Sequence, residues 1–238
     1  MKNLFITGVS SGLGHALATT YLDRNWQVFG ASRRTPDDIS EHPNFRFRCL
    51  DLREQQDIGA VLTALLGGIE RLDLAILNAG IIGQIDDLSR TPLMDLKSVM
   101  DINVWANKII IDHLYADNRT VAQIVTISSG ASVNGNRGWG GYSLSKAALN
   151  MLTKLYAREY PHTHFCALAP GIIHTPMAED ICRRLSDDER FPTVKEFCAK
   201  RNTRYMLTPQ QAAQAMIDAI GRLPALVGSG EYADVRNL

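Results

Sequence analysis

The sequence predicts a doubly wound α/β fold: a parallel sheet of about seven strands with helices on both faces. Three observations predict it. Short apolar runs alternate with longer amphipathic stretches, the rhythm of βαβ units. The runs are apolar at successive positions, as strands covered by helices on each side must be. Six of them end in polar or glycine residues, at Thr7–Gly14, Ser32–Arg34, Asp51, Asn78–Gly80, Ser128–Ser129 and Pro170–Gly171. Ligands of open sheets bind beyond the carboxyl ends of the strands, so these six ends describe one rim.

Taken in order, the candidate strands are Leu4–Thr7, Gln27–Ala31, Phe45–Leu50, Leu74–Leu77, Gln123–Ile127 and Phe165–Ala169, with a poorer seventh near Ala225–Val227. Helical stretches fall near His15–Arg24, Gln55–Leu66, Leu93–Tyr115, Tyr142–Glu159 and Pro209–Arg222. No repeat, low-complexity tract or linker interrupts them, so residues 1–238 read as one domain, a length common for this class. The irregular stretch is 173–206, charged and broken by Pro176 and Pro192. It is either a substrate lid or a solvated excursion.

Composition narrows the function classes. With 45% hydrophobic residues the chain can bury a sizeable core, and its 25 basic and 25 acidic residues cancel. No global field draws it to nucleic acid or to a membrane surface. No segment reaches the ~18 apolar residues of a membrane helix. The opening MKNLFITGVSSG is too short an apolar run for a signal peptide. Cys49, Cys166, Cys182 and Cys198 form no CxxC pair, which implies reduced thiols and a cytoplasmic setting rather than a disulfide framework. His162 and His164 have no carboxylate or cysteine grouped with them, so no metal is expected.

The first strand runs straight into Thr7-Gly8-Val9-Ser10-Ser11-Gly12-Leu13-Gly14 and a helix. Glycines there allow a sharp turn and let backbone N–H groups approach a pyrophosphate at the helix N-terminus. In that context the loop reads as dinucleotide binding on a Rossmann fold, rather than as a turn made only for packing. Where an acid at the end of the second strand would grip the ribose of NAD, this chain has Ser32 and Arg33. A hydroxyl and a guanidinium suit a 2′-phosphate, so NADP(H) is expected over NAD; Arg34 is left to face water.

That loop, joined to Leu77-Asn78-Ala79-Gly80, Ser129 and Tyr142-x-x-x-Lys146, resembles the short-chain dehydrogenase/reductase family from Lys2 to Arg222. The resemblance implies that Thr7, Gly8, Gly12 and Gly14 form the phosphate loop with Ser10, Ser11 and Leu13. It also implies that Asp51 and Leu52 meet the adenine and that Asn78, Ala79 and Gly80 support the ribose. Pro170, Gly171, Ile173 and Thr175 would lie over the nicotinamide. Asn103 matches the asparagine of a proton-relay tetrad completed by Ser129, Tyr142 and Lys146. Thr126 departs from the asparagine often found there. Gly138–Tyr142 and the tail Gly230–Arg236 are similar to the sepiapterin reductase and bacterial benzil reductase group.

Carbonyl reduction needs a proton for the oxygen as charge builds on it. Tyr142 would supply it, but an unperturbed phenol at about 10 is a poor acid–base at neutral pH. Lys146, one helical turn on, would favour the phenolate, and by the resemblance would also hold the ribose. Ser129 would hydrogen-bond the carbonyl oxygen, and Asn103 would hold a water linking Lys146 to solvent. Trp139 and Met177 are expected to line the substrate pocket. Ala147, Ala148, Leu149, Met151, Leu152 and Leu155 leave the helix after Tyr142 apolar all round, through sheet packing alone or a further homodimer or homotetramer face. The expected activity is NADPH-dependent reduction of a small ketone or diketone. Alcohol oxidation, or a non-catalytic NADP sensor, are the alternatives.

Overall fold

The computed structural model describes residues 1–186 and 188–238. The strands are β1 (Asn3–Thr7), β2 (Gln27–Ser32), β3 (Phe45–Cys49), β4 (Arg71–Leu72), β5 (Leu74–Leu77), β6 (Thr120–Val121), β7 (Gln123–Ile127), β8 (His164–Ala169) and β9 (Glu231–Asp234). The helices are α1 (Gly12–Asp23), α2 (Ile58–Leu66), α3 (Leu93–Met100), α4 (Ala106–Leu114), α5 (Ala131–Asn134), α6 (Gly140–Glu159), α7 (Pro176–Leu185), α8 (Pro192–Ala199) and α9 (Pro209–Leu226). Seven strands form one sheet in the order β3-β2-β1-β5-β7-β8-β9, and β4 pairs with β6 apart from it. Every pairing in the large sheet is parallel. The direction of winding reverses between β1 and β5, so the crevice of a doubly wound sheet opens there.

The period-two geometry of β1 shows how the layers are held. Leu4 and Ile6 pack with Leu17 of α1 and Met216 and Ile217 of α9. Phe5, pointing the other way, packs with Leu62 and Leu66 of α2, Ile110 of α4 and Phe165 of β8. Both faces are therefore covered, which is why the strands read as continuous apolar runs.

Three expectations are corrected. The seventh strand is β9, not Ala225–Val227, because α9 continues through Pro224 to Leu226. A proline there removes the N–H that would bond the Ile220 carbonyl. Gln123 Nε2 donates to that carbonyl at 3.1 Å instead, so the helix survives its proline. Second, the stretch expected to be one helix over Leu93–Tyr115 contains a π-turn at Asp101–Trp105, between α3 and α4. Third, the thiols are not all reduced: Cys182 and Cys198 are joined by a disulfide, while Cys49 and Cys166 are free. The pairing was invisible in the spacing because it joins two helices, α7 and α8, which pack together and bring the cysteines to a Cα separation of 5.4 Å.

The stretch 173–206 is thus no solvated excursion. Pro176 and Pro192, which break the pattern in sequence, stand in the first turns of α7 and α8, where a missing N–H costs nothing. Ile181, Phe191 and Val194 bury together with Ile85 in a small core of their own beside the sheet. Among the described residues no helix is long and apolar enough to cross a membrane.

Candidate active site

A cleft of about 630 Å³ runs along the carboxyl ends of the sheet, across the β1–β5 crevice and under α7 and α8. Of the residues singled out in sequence, Thr7, Gly8, Ser10, Ser11, Gly12, Leu13, Gly14, Ser32, Arg33, Asp51, Leu52, Asn78, Ala79 and Gly80 line it, as do Ser129, Trp139, Tyr142, Lys146, Pro170, Gly171, Ile173, Thr175 and Met177. Asn103 does not line it; it lies buried behind the wall.

The glycine loop is held open by its neighbour. Thr7 Oγ1 accepts from the backbone N–H of Asn78 and Ala79 at 3.0 Å each, and Asn78 Nδ2 returns a bond to the Thr7 carbonyl. This stitches the ends of β1 and β5 across the crevice. A Cβ at Gly14 would stand 2.3 Å from both Asn78 Nδ2 and the Gly8 oxygen, so only glycine fits this close approach. The loop presents a helix N-terminus with its free N–H groups to the cleft, the arrangement that binds a pyrophosphate.

At the far end of the cleft the two members of the expected 2′-phosphate site behave differently. The Ser32 hydroxyl is buried and donates to the Arg34 carbonyl at 2.7 Å, so its proton is spent on the turn after β2. Arg33 stays exposed, and Arg34, expected to face water, also borders the cleft. Arg33 and Arg34 therefore bring guanidinium groups to this end of the cleft. Asp51 accepts from Arg53 through both carboxylate oxygens, which, with a smaller contribution from Arg33, holds its carboxyl below the usual range.

At the other end, α6 begins beside the cleft with Trp139 as its N-cap residue. Gly138 turns into it with φ +91°, and a Cβ there would meet Phe191 at 2.7 Å. Tyr142 lies in the first turn. Burial pushes its phenol up, and a hydrogen bond with the Ser129 hydroxyl opposes the rise. Lys146 is 4% exposed, its Nζ donates to the Ile127 carbonyl at 2.7 Å and stands 5.6 Å from the Tyr142 ring centroid. Burial pulls its ammonium down to about 8. Burial thus raises the phenol, against the expectation that Lys146 would favour the phenolate.

Asn103 sits in the π-turn. Its Oδ1 accepts from the Ile81 N–H, and its Nδ2 donates to the Ile81 carbonyl and to Ser145 Oγ. With the side chain committed, only its main-chain carbonyl, which already accepts from Asn107 Nδ2, is left to hold a relay water. Thr126, the departure from the family pattern, bonds Thr153 of α6 inside the core.

Sequence reading missed Phe197, Thr193 and Glu196 of α8 and Lys200 just past it, which border the cleft, because nothing local marks which face of a short helix covers a pocket. Phe197 meets Trp139 edge-on at 6.0 Å, and Trp139 lies 6.3 Å from the Tyr142 ring, an aromatic wall beside the phenol. Arg236 also lines the cleft, held by Asp234 beyond β9. The tail motif that contains it was the available signal. His15 and His174, near the site by position, pair with Asp38 and Glu179.

A glycine loop at the switch point of a parallel sheet, with a tyrosine, lysine and serine at the other end of the same cleft, defines an oxidoreductase domain that takes a nicotinamide dinucleotide. A family model described as short chain dehydrogenase matches residues 2–185, and the chain belongs to that family, whose reactions interconvert CH–OH and C=O groups. Benzil reductase ((S)-benzoin forming) of Bacillus cereus is 28% identical, over 91% of this chain and 92% of that protein. A short-chain dehydrogenase/reductase of Saccharomyces cerevisiae superposes with a TM-score of 0.85 at 23% identity, covering 99% of this chain and 96% of that one. ElxO, solved with NADP bound, gives a TM-score of 0.81 at 22% identity, covering 98% and 96%.

Proposed function

We propose that this protein is an NADPH-dependent reductase of small ketones or diketones, with Tyr142 as the proton donor. The observation that carries the reading is the meeting of Ser129, Tyr142 and Lys146 at one end of a single cleft whose other end offers Arg33. NADPH held along the cleft would supply the reducing equivalent. The chain's own groups do the rest. Backbone N–H groups of the glycine loop receive the pyrophosphate, and Arg33 receives the 2′-phosphate as a charge-assisted pair. Ser129 donates to the substrate oxygen, which stabilises the charge that develops there. Tyr142 passes its phenolic proton to that oxygen, and the Lys146 ammonium stabilises the phenolate left behind. Asn103 fixes the loop after β5 at Ile81 and, through its main-chain carbonyl, offers a place for the water that returns the proton.

The aromatic wall of Trp139 and Phe197 favours a flat, apolar carbonyl compound, in keeping with the benzil reductases among the relatives. Residues 173–206 act as the substrate lid of a single NADP-binding domain. Exposed Leu144, Met151 and Leu155 on α6 and Trp105 on the adjoining π-turn support assembly as a homodimer or homotetramer through this face. Cytoplasmic residence belongs to the same proposal on the ground that NADPH is the reductant maintained there, although the Cys182–Cys198 disulfide removes the reduced-thiol argument for it.

The test is titration with NADPH and NADH followed by benzil. The reading expects tighter binding of NADPH, its oxidation on adding benzil, and a Tyr142→Phe variant that binds NADPH but turns over at least ~100-fold more slowly. Preference for NADH, or turnover surviving Tyr142→Phe, refutes it.

A further inference from the structure

The turn that carries Ser129 is held locally by the Ala131 N–H on Ser129 Oγ at 3.2 Å and the Ser132 N–H on the Ser129 carbonyl at 3.0 Å, neither of which ties it to α6. It leaves β7 at Ser128 and enters α5, a single helical turn that ends at Gly135 with φ +63°. A serine in such a turn must nevertheless be held in register with a tyrosine on a different element. Tenths of an ångström in that register decide whether both hydroxyls can reach one oxygen.

A chain of side-chain hydrogen bonds supplies the register. Ser128 Oγ, itself 2% exposed, donates to Asn150 Oδ1 at 2.5 Å. Asn150 Nδ2 donates to Ser132 Oγ at 2.9 Å, and Ser132 Oγ donates to the Ser129 carbonyl at 2.7 Å. The residue before Ser129, the one three after it, and the Ser129 carbonyl itself are thus tied to one amide. That amide stands on α6 in the same stripe as Tyr142 and Lys146, each four residues from the next. All the donors and acceptors run in one direction, so the orientation of the Asn150 amide fixes that of both serine hydroxyls.

We propose that Asn150 is the positioning residue of the site: it clamps the Ser129 turn to α6 and so sets the Ser129–Tyr142 geometry. The inference rests on the assignment of those two residues in the proposed function. Asn150 touches neither substrate nor cofactor in this reading, and it does not line the cleft. An apolar residue of similar size would pack between α5 and α6, so the amide is there for its hydrogen bonds.

The experiment compares Asn150→Ala, Asn150→Asp and Ser132→Ala with the parent in single-turnover reduction of benzil. Asn150→Asp keeps the acceptor for Ser128 but cannot donate to Ser132, whose proton would turn toward the carboxylate and away from Ser129. Each variant should lose about ten-fold in rate while the NADPH dissociation constant stays within two-fold, on the order expected for a small misplacement of a reacting group. In a Ser129→Ala background the Asn150→Ala factor should vanish, since the residue acts through that serine.

Parent-like rates in the Asn150 variants overturn the proposal. A ten-fold loss that persists undiminished in the Ser129→Ala background also overturns it and assigns Asn150 a merely structural role. Turnover at the parent rate in Tyr142→Phe or Ser129→Ala overturns the site assignment itself, and the positioning role falls with it. Loss in those two controls with an intact Asn150→Ala refutes the positioning role alone.

Discussion

Reducing the Cys182–Cys198 disulfide should loosen the roof of the cleft while leaving its floor intact. The cysteines are 16 residues apart, and opening a loop of that length returns about 3 kcal/mol of chain entropy to the unfolded state at 25 °C. If the roof unfolds with the rest of the chain, the melting temperature should drop by roughly 6–12 °C for a protein of this size. The effect on binding is selective. Phe197, adjacent to Cys198, forms the aromatic wall with Trp139, whereas the glycine loop and Arg33 belong to β1, α1 and β2. Reduction with dithiothreitol, or a Cys182→Ser/Cys198→Ser double variant, should therefore raise KM for benzil several-fold and leave NADPH affinity unchanged. Thiol titration in denaturant checks the premise: two thiols, Cys49 and Cys166, before reduction and two more after it. Four reactive thiols in the untreated protein, or a KM and melting temperature unmoved by reduction, would refute the reasoning.

Three further outcomes are expected. Arg33→Asp should weaken NADPH by about 10- to 100-fold, the worth of a charge-assisted contact, with little change for NADH, as read by quenching of intrinsic fluorescence. Reductive turnover should fall as pH rises through about 8, because Lys146 then loses the charge that stabilises the Tyr142 phenolate; a pH profile of kcat with no limb near that value would remove Lys146 from the role. Gln123→Ala should cost about 1–2 kcal/mol in urea unfolding, since it strands the Ile220 carbonyl that Pro224 leaves unpaired.

What was legible in the sequence was what local pattern encodes. Runs apolar on both faces gave five of the seven strands of the large sheet, and the alternating Phe45–Cys49 gave the edge strand β3. The glycine loop could be assigned because its function is a property of consecutive backbone N–H groups. Tyr142 and Lys146 could be paired because one helical turn is a fixed distance. The failures share a different physics. Pro224 reads as a helix stop, and the amide that permits it comes from Gln123, on another element. Ser32 reads as a phosphate donor, but the turn after it takes the proton. The disulfide, Phe197 and the Asn150 clamp all depend on which helix lies against which, and no spacing in the chain records that.

Lys146 shows how local pattern and tertiary placement combine to mark a functional site. Holding its ammonium at about 8 against an ordinary 10.5 means that the fold disfavours this charge by roughly 3 kcal/mol at neutral pH. The sign is that of a lowered base: the charge costs stability below about 8, and the cost fades as pH rises toward 10.5, where the unfolded chain also gives up the proton. The bond to the Ile127 carbonyl offsets part of this penalty. Lys146→Met should thus end turnover yet leave the protein as stable as the parent or more so, despite the lost hydrogen bond. A buried lysine without a carboxylate partner makes little sense as a structural element. It fits the proposed mechanism, in which the adjacent phenol gives up a proton on every cycle and the positive charge the fold tolerates so poorly is the charge that the phenolate requires.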